Sequence, residues 1–160
     1  DARLAAPAVR HIHHAYVGGL LEHTLSVART CVFLAAKYAE YYPDLQPPLD
    51  TELVSAGAIL HDIGKTRELT YALGFDYSDE GRLLSHIVIG LEMVDAKIRQ
   101  VPDFPKVLAD LLKHLIVSHH GSRELGSPEP PKTIEAVLLN YIDERWPELA
   151  SSGVAPDAYS

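Results

Sequence analysis

The chain has 160 residues, a formal net charge of −8, 47% hydrophobic and 22% charged residues, one cysteine and nine histidines. This length and composition describe one globular domain with a buried core. They leave no apolar run near the ~18 residues that cross a bilayer, no basic-then-apolar leader and no internal disulfide framework. A single cysteine points to a reducing compartment, the cytoplasm. The acidic balance argues against gripping nucleic acid by bulk electrostatics, although metal ions can reverse the field inside an acidic pocket. The chain opens on Asp1 rather than Met, as expected of a fragment of a longer protein with sequence upstream.

Residues 1–15 are alanine-rich, contain His11, His13 and His14, and read as an irregular entry segment. From Leu20 to Tyr41, the positions Leu20, Thr24, Val27, Cys31, Leu34 and Tyr38 recur at helical spacing. Pro43, Pro47 and Pro48 end that helix. Asp50-Thr51 is the expected N-cap of a second helix with Leu53, Val54, Ile59 and Leu60. It runs into His61-Asp62-Ile63-Gly64-Lys65, where Gly64 marks a turn. Residues 66–79, with Tyr71, Phe75 and Tyr77, form either a loop or a short hairpin around Gly74.

Helical patterning resumes from Glu80 to Gln100 through Leu83, Ile87, Gly90, Leu91 and Val94, and Pro102 and Pro105 interrupt it. A further helix spans Lys106 to Ser118 and ends at His119-His120-Gly121, with Gly121 as its C-terminal cap. Gly126–Pro131 is a proline-rich loop. Pro130-Pro131-Lys132-Thr133 leads into a last helix with Ile134, Val137, Leu138 and Tyr141, which Pro147 is expected to stop. The tail from Ala150 is expected to fray. There is no internal repeat and no second domain. The expected architecture is an all-α, single-domain helical bundle over residues 1–160, with its folded core at about 12–146.

The chemistry concentrates in a few polar residues set in apolar helical patterns. Adjacent helical residues diverge by ~100°, so His61 and Asp62 share a site only where the backbone turns, as it can before Ile63-Gly64. A buried carboxylate there needs a compensating cation. His23 lies among Leu20, Leu21 and Val27. His86 stands early in the 80–100 helix, His119 and His120 close the 106–118 helix, and Asp143 follows Leu139 by one turn. One histidine on an apolar face is more often a hydrogen-bonded core residue than a ligand. Five histidines and two aspartates spread over five helical segments suggest instead the way bundles build metal sites, from inward side chains on facing helices. Cys31, beside Val32 and Phe33, reads as a small core residue rather than a nucleophile or ligand.

The order His23, His61-Asp62, Asp143 resembles the HD-domain superfamily of metal-dependent phosphohydrolases, and His86 with His119-His120 resembles its subset with two-metal sites. A narrower likeness is carried by His13-His14-Ala-Tyr-Val-Gly-Gly-Leu-Leu-Glu-His23-Thr, by Gly57-Ala-Ile-Leu-His61-Asp62-Ile-Gly-Lys65 and by Glu80-Gly-Arg82-Leu-Leu-Ser-His86-Ile. Ser118-His119-His120-Gly121, Gly126-Ser127-Pro128 and Tyr141-Ile142-Asp143 add to it. Together, over about residues 12–143, these are similar to the HD domain of YhaM-type 3′-to-5′ exoribonucleases.

The resemblance implies that His23, His61, Asp62 and Asp143 hold one metal, and that Asp62 bridges to a second held by His86, His119 and His120. Such a nitrogen-rich set suits Mn first, and also Fe, Co, Ni or Zn, rather than Mg. A hydroxide bridging the two ions would attack phosphorus, so Asp62 counts as catalytic. Lys65, three residues past Asp62, is a candidate catalytic and phosphate-binding cation. Arg82 is a second phosphate candidate, with an ion pair to Glu80 or Asp79 as the alternative. His13 and His14 would stand behind the ligands, and Arg123 and Lys132 read as solvated charges. After Asp143 the chain reads Glu144-Arg145-Trp146-Pro147-Glu148-Leu149, where such relatives often carry a Leu-Asp-Ala-Lys-like segment. They also carry an upstream nucleic-acid-binding barrel, and nothing in this sequence corresponds to it.

The expected function is therefore a phosphodiesterase, exonuclease-like on single-stranded RNA or oligonucleotides, with no membrane partner. A nucleotidase or other small-nucleotide phosphohydrolase is the alternative, because fold does not fix substrate. A cyclic-dinucleotide enzyme is disfavoured because the Gly-Tyr-Pro signature of that class does not occur. A catalytically silent, metal-stabilised regulatory module is the third reading, and it would be favoured by a missing ligand.

Overall fold

The structure is a computed structural model that describes residues 19–70 and 76–151, with side chains through residue 145. The entry segment with His11, His13 and His14, the aromatic pair Tyr71 and Phe75, Gly74, and the tail beyond residue 151 lie outside the described residues.

Helix α1 (Gly19–Tyr41) is followed by α2 (Thr51–Leu60), the short α3 (Lys65–Glu68), strands β1 (Leu69–Thr70) and β2 (Asp76–Tyr77), then α4 (Asp79–Ile98), α5 (Lys106–Ser118) and α6 (Ile134–Ser151). The fold is an all-α bundle. Its one sheet among the described residues is the antiparallel pair β1–β2, in which Leu69 faces Tyr77 and Thr70 faces Asp76, so the expected strand pairing is present at these four residues, while residues 66–68 are helical in α3 rather than part of a loop or hairpin.

Helix α2 is the centre of the bundle because it packs on α1, α5 and α6 together. Its residues explain this. Asp50 caps it by accepting from the Leu53 N–H at 2.9 Å, and the Asp50 N–H donates to Glu135 at the start of α6 at 3.0 Å. Gly57 lets Leu115 of α5 pass at a distance that a Cβ would block. Around it lie Val27, Cys31 and Ala35 of α1, Val54 and Ala58 of α2, Leu115 and Ile116 of α5, and Ala136 and Leu139 of α6, all essentially inaccessible to solvent. Each large apolar side chain buried this way contributes ~1.5–3 kcal/mol.

Gly64 marks a turn as expected, and three other sequence expectations change. Gly64 has ordinary helical angles (φ −61°, ψ −24°), so the turn does not need glycine for its dihedrals. It needs glycine because a Cβ would collide with the backbone of His86 and Gly90, where α4 crosses. Leu83 belongs to the apolar stripe expected of α4 but is 83% exposed. The cause is a break at Ser85 (φ 61°, ψ 161°), which resets the helical phase between Leu83 and Ile87. Ile59, in the stripe expected of α2, is also exposed. Pro147 does not stop α6, which continues to Ser151. A proline removes a single N–H from the ladder, and the flanking turns carry the helix through.

Candidate metal centre

Three elements converge first. His23 comes from the N-terminal part of α1, His61 from the turn that ends α2, and Asp143 from α6. His23 Nε2 lies 3.2 Å from His61 Nε2 and 3.0 Å from Asp143 Oδ1, and His61 Nε2 lies 3.4 Å from the same oxygen. His61 is fully buried, and its Nδ1 donates to the Ala58 carbonyl at 2.8 Å, which aims Nε2 into the cluster. Burial alone would strip the proton from His61. The carboxylates of Asp62 and Asp143 outweigh burial and raise its pKa to about 10.

Three further imidazoles gather on the other side. His86 comes from α4, and His119 and His120 come from the turn after α5, each offering a ring nitrogen within 4.8 Å of the others. His119 Nδ1 donates to the Ile116 carbonyl at 2.7 Å, and His120 Nδ1 to the Leu125 carbonyl at 3.1 Å. The Asn140 amide holds the His119 carbonyl at 2.8 Å, and the buried Ser127 hydroxyl accepts the His120 N–H at 3.1 Å. Gly121, with φ +81°, turns the chain where a side chain would meet Asn140. Burial lowers the pKa of both histidines. Positive charge on His61 adds to it for His119 and that on Lys65 for His120, against the opposing pull of Asp143 and Asp62. These rings are therefore neutral.

Asp62 lies between the two groups, 2% exposed. Its Oδ2 is 3.5 Å from His23 Nε2 and 3.4 Å from His61 Nε2. Its Oδ1 is 3.4 Å from His86 Nε2 and 3.7 Å from His119 Nε2. Burial acts against its charge, but Lys65 and His61 hold its carboxyl well below the usual range. The Lys65 ammonium donates to Oδ2 at 2.6 Å, and its side chain remains about one-third exposed.

The structure thus brings His23, His61, Asp62, His86, His119, His120 and Asp143 into one cluster, with Lys65 at its edge. Arg82 behaves otherwise. It pairs with Asp76 at 2.8 Å to both oxygens, while Glu80 pairs with Arg67. The ion pair with Glu80 or Asp79, the alternative to a phosphate role, is thus replaced by one to Asp76 of β2. Arg123 and Lys132 both pair with Glu129. Cys31 is a core residue, fully buried in the apolar cluster, where burial and the nearby Asp143 push its thiol up to about 12. Sequence reading missed Glu68. It is a buried carboxylate at the end of α3 that accepts from the His86 backbone N–H at 2.8 Å and from His86 Nδ1 at 3.2 Å. The only hint in the sequence is an acidic residue one turn beyond Lys65.

The donor set fits metal ions. Asp62 Oδ1, His86 Nε2 and His119 Nε2 are buried, point at one another and have no hydrogen-bond partner. Such orphans are costly unless a cation satisfies them. Donors bound ~2.1 Å from one ion stand ~3.0–3.4 Å apart. The separations of His23 and His61 from each other, from Asp143 Oδ1 and from Asp62 Oδ2 run from 3.0 to 3.5 Å.

A helical bundle that gathers histidines and aspartates from five segments around one shared carboxylate defines a metal-dependent phosphohydrolase. The chain belongs to the HD-domain family, whose profile matches residues 20–145. It is 42% identical over 138 residues to the 3′-5′ exoribonuclease YhaM of Bacillus velezensis and 41% identical over 138 residues to that of Bacillus subtilis. Both matches cover 86% of this chain and 41% of the relative. The YhaM of Shouchella clausii is 41% identical over 144 residues, 89% of this chain and 42% of the relative. The chain therefore spans about two-fifths of the length of these curated relatives. No solved structure matches it. Among the described residues, no helix is long and apolar enough to cross a membrane.

Proposed function

We propose that this chain is the hydrolytic domain of a 3′-to-5′ exonuclease-like phosphodiesterase that acts on single-stranded RNA or short oligonucleotides with two divalent transition-metal ions, Mn first. The observation that carries this reading is the division of Asp62, with one oxygen facing His23 and His61 and the other facing His86 and His119. One carboxylate serving two donor groups supports two adjacent ions. The names of the relatives support RNA as the substrate, and the spacing of nitrogen-rich donors supports a transition metal over Mg.

When bound, the ions supply a nucleophilic water at neutral pH and neutralise phosphoryl charge. The protein does the rest. The Nδ1 bonds of His61, His119 and His120 to backbone carbonyls lock the rings with Nε2 inward, so the donor array is formed before substrate arrives. His119 and His120 are held neutral and ready to donate lone pairs. Lys65 keeps a positive charge beside Asp62 and reaches solvent, so it can take up a phosphate oxygen and oppose the charge that builds there. Asp62 is catalytic in that it ties the two donor groups into one site.

A 5′-labelled single-stranded oligoribonucleotide incubated with the chain and Mn tests the reading. Stepwise shortening from the 3′ end is the expected result. Release of phosphate from mononucleotides with no attack on the strand would replace it with the nucleotidase reading. No turnover with both ions bound would make the domain a regulatory module.

A further inference from the structure

The histidines of the cluster are oriented in two ways. His61, His119 and His120 each rest Nδ1 on a backbone carbonyl. His86 rests Nδ1 on a carboxylate, Glu68 Oε1, which is 3.2 Å away and buried with it. A carboxylate only accepts, so this contact places a proton on Nδ1 and turns Nε2 towards Asp62 Oδ1 at 3.4 Å. Nε2 has no hydrogen-bond partner.

The backbone is bent to make this contact. Ser85 has φ 61° and ψ 161° inside an otherwise helical run, in a region that side chains rarely adopt. The break turns the His86 N–H away from the preceding helical turn and onto Glu68, so one carboxylate oxygen receives both donors of one residue. Two glycines keep the partners this close. A Cβ on Gly81 would collide with Glu68, and one on Gly64 would collide with the His86 carbonyl. Beyond them, the Ser78 N–H closes the hairpin onto the Glu68 carbonyl at 2.8 Å.

From this geometry we infer that Glu68 is a positioning residue, which sets the tautomer and angle of the His86 ring and raises the metal affinity of the His86–His119–His120 side. The inference rests on the two-ion reading above. A charged acceptor makes the opposite ring nitrogen a stronger donor than a neutral carbonyl does, and loss of such partners weakens metal binding by ~10–100-fold.

The test uses the full 160-residue chain in two measurements, calorimetric titration with Mn alone and ¹⁵N NMR of the His86 ring in the metal-free chain. Glu68→Ala should weaken one of the two ions by ~10–100-fold, leave the other unchanged and abolish the Nδ1–H signature of His86. Glu68→Gln keeps an acceptor oxygen, so it should restore that signature and recover part of the affinity. If both ions bind Glu68→Ala as tightly as the wild type, Glu68 merely caps the helix after Ser85 and the inference is overturned. Should Glu68→Ala fail to fold, wild-type affinity in Glu68→Gln overturns it equally. A wild type that binds two ions without cutting RNA would remove the proposed substrate and leave Glu68 in place. A wild type that binds one ion would remove the two-ion reading, and an Nε2–H tautomer of His86 in the metal-free wild type would by itself overturn the role of Glu68.

Discussion

His23 and His61 face one oxygen of Asp62 and gather with Asp143, and His86 and His119 face the other and gather with His120, yet the two groups handle charge in opposite ways. The first includes a second carboxylate, and in the metal-free chain a proton on His61 stands where a cation is wanted, its pKa raised to about 10. The second is made of imidazoles, two of them held neutral by burial, and there nothing replaces the cation. His86 Nε2, His119 Nε2 and the facing Asp62 Oδ1 are left without a hydrogen-bond partner. A metal entering the first group must displace a proton from His61, whereas one entering the second finds His119 and His120 already favoured in the neutral form.

Breaking the residue common to both groups should have the largest effect. Asp62→Ala is expected to remove both ions and lower hydrolysis by at least ~10³-fold, beyond the loss of a single charge-stabilising group. Elemental analysis and a phosphodiesterase assay check this, and retained turnover would end the two-ion reading. Separating the groups comes next. His23→Ala and His120→Ala, each at a partly buried position, should each bring metal content from two ions to one. Addition of the two losses in the double variant would show that the groups act independently.

Lys65→Ala should lower kcat by about 10–100-fold, less than a fully buried donor would, because the side chain is partly exposed. Its metal content should stay intact, and loss of metal would mean that Lys65 serves the ligands rather than phosphate.

The proton difference predicts a pH contrast. Metal binding by the first group should release a proton from His61 and tighten as pH rises towards about 10. Binding by the second group should be flat near neutrality and weaken only in acid. Calorimetry of His120→Ala and His23→Ala in buffers of different ionisation enthalpy would detect it, and equal proton release from both would erase the contrast. The smallest effect should be on stability. The folded pKa of His61 lies above its ordinary 6.5, so its contribution is complete below pH 6.5 and is lost as pH rises through about 10. Asp62 and Asp143, both lowered, act in the opposite sense and are lost only as pH falls below the usual carboxylate range. Melting of the chain in chelator across this range measures both.

Much of the fold was legible in the residues because its helices carry local signals. The apolar repeat through Val27, Cys31 and Tyr38 marked α1, Asp50 marked the start of α2, and Gly121 marked the exit from α5. The candidate ligands were legible because histidine and aspartate inside apolar patterns are costly to bury without a purpose. The places where the reading failed are the long-range ones. Glu68 and His86 are 18 residues apart, Arg82 turns to Asp76 only because the hairpin folds over it, and Leu83 is exposed only because Ser85 breaks its helix.

By itself, then, the sequence determined the helices, their caps and the residue types able to bind metal, since these follow from propensity and from the cost of burying charge. Tertiary structure alone decided how Asp62 divides its oxygens, which histidines are protonated and which carboxylate orients His86. Those properties depend on distance and burial, and only the packing of α2 against α1, α5 and α6, and of α3 against α4, creates them.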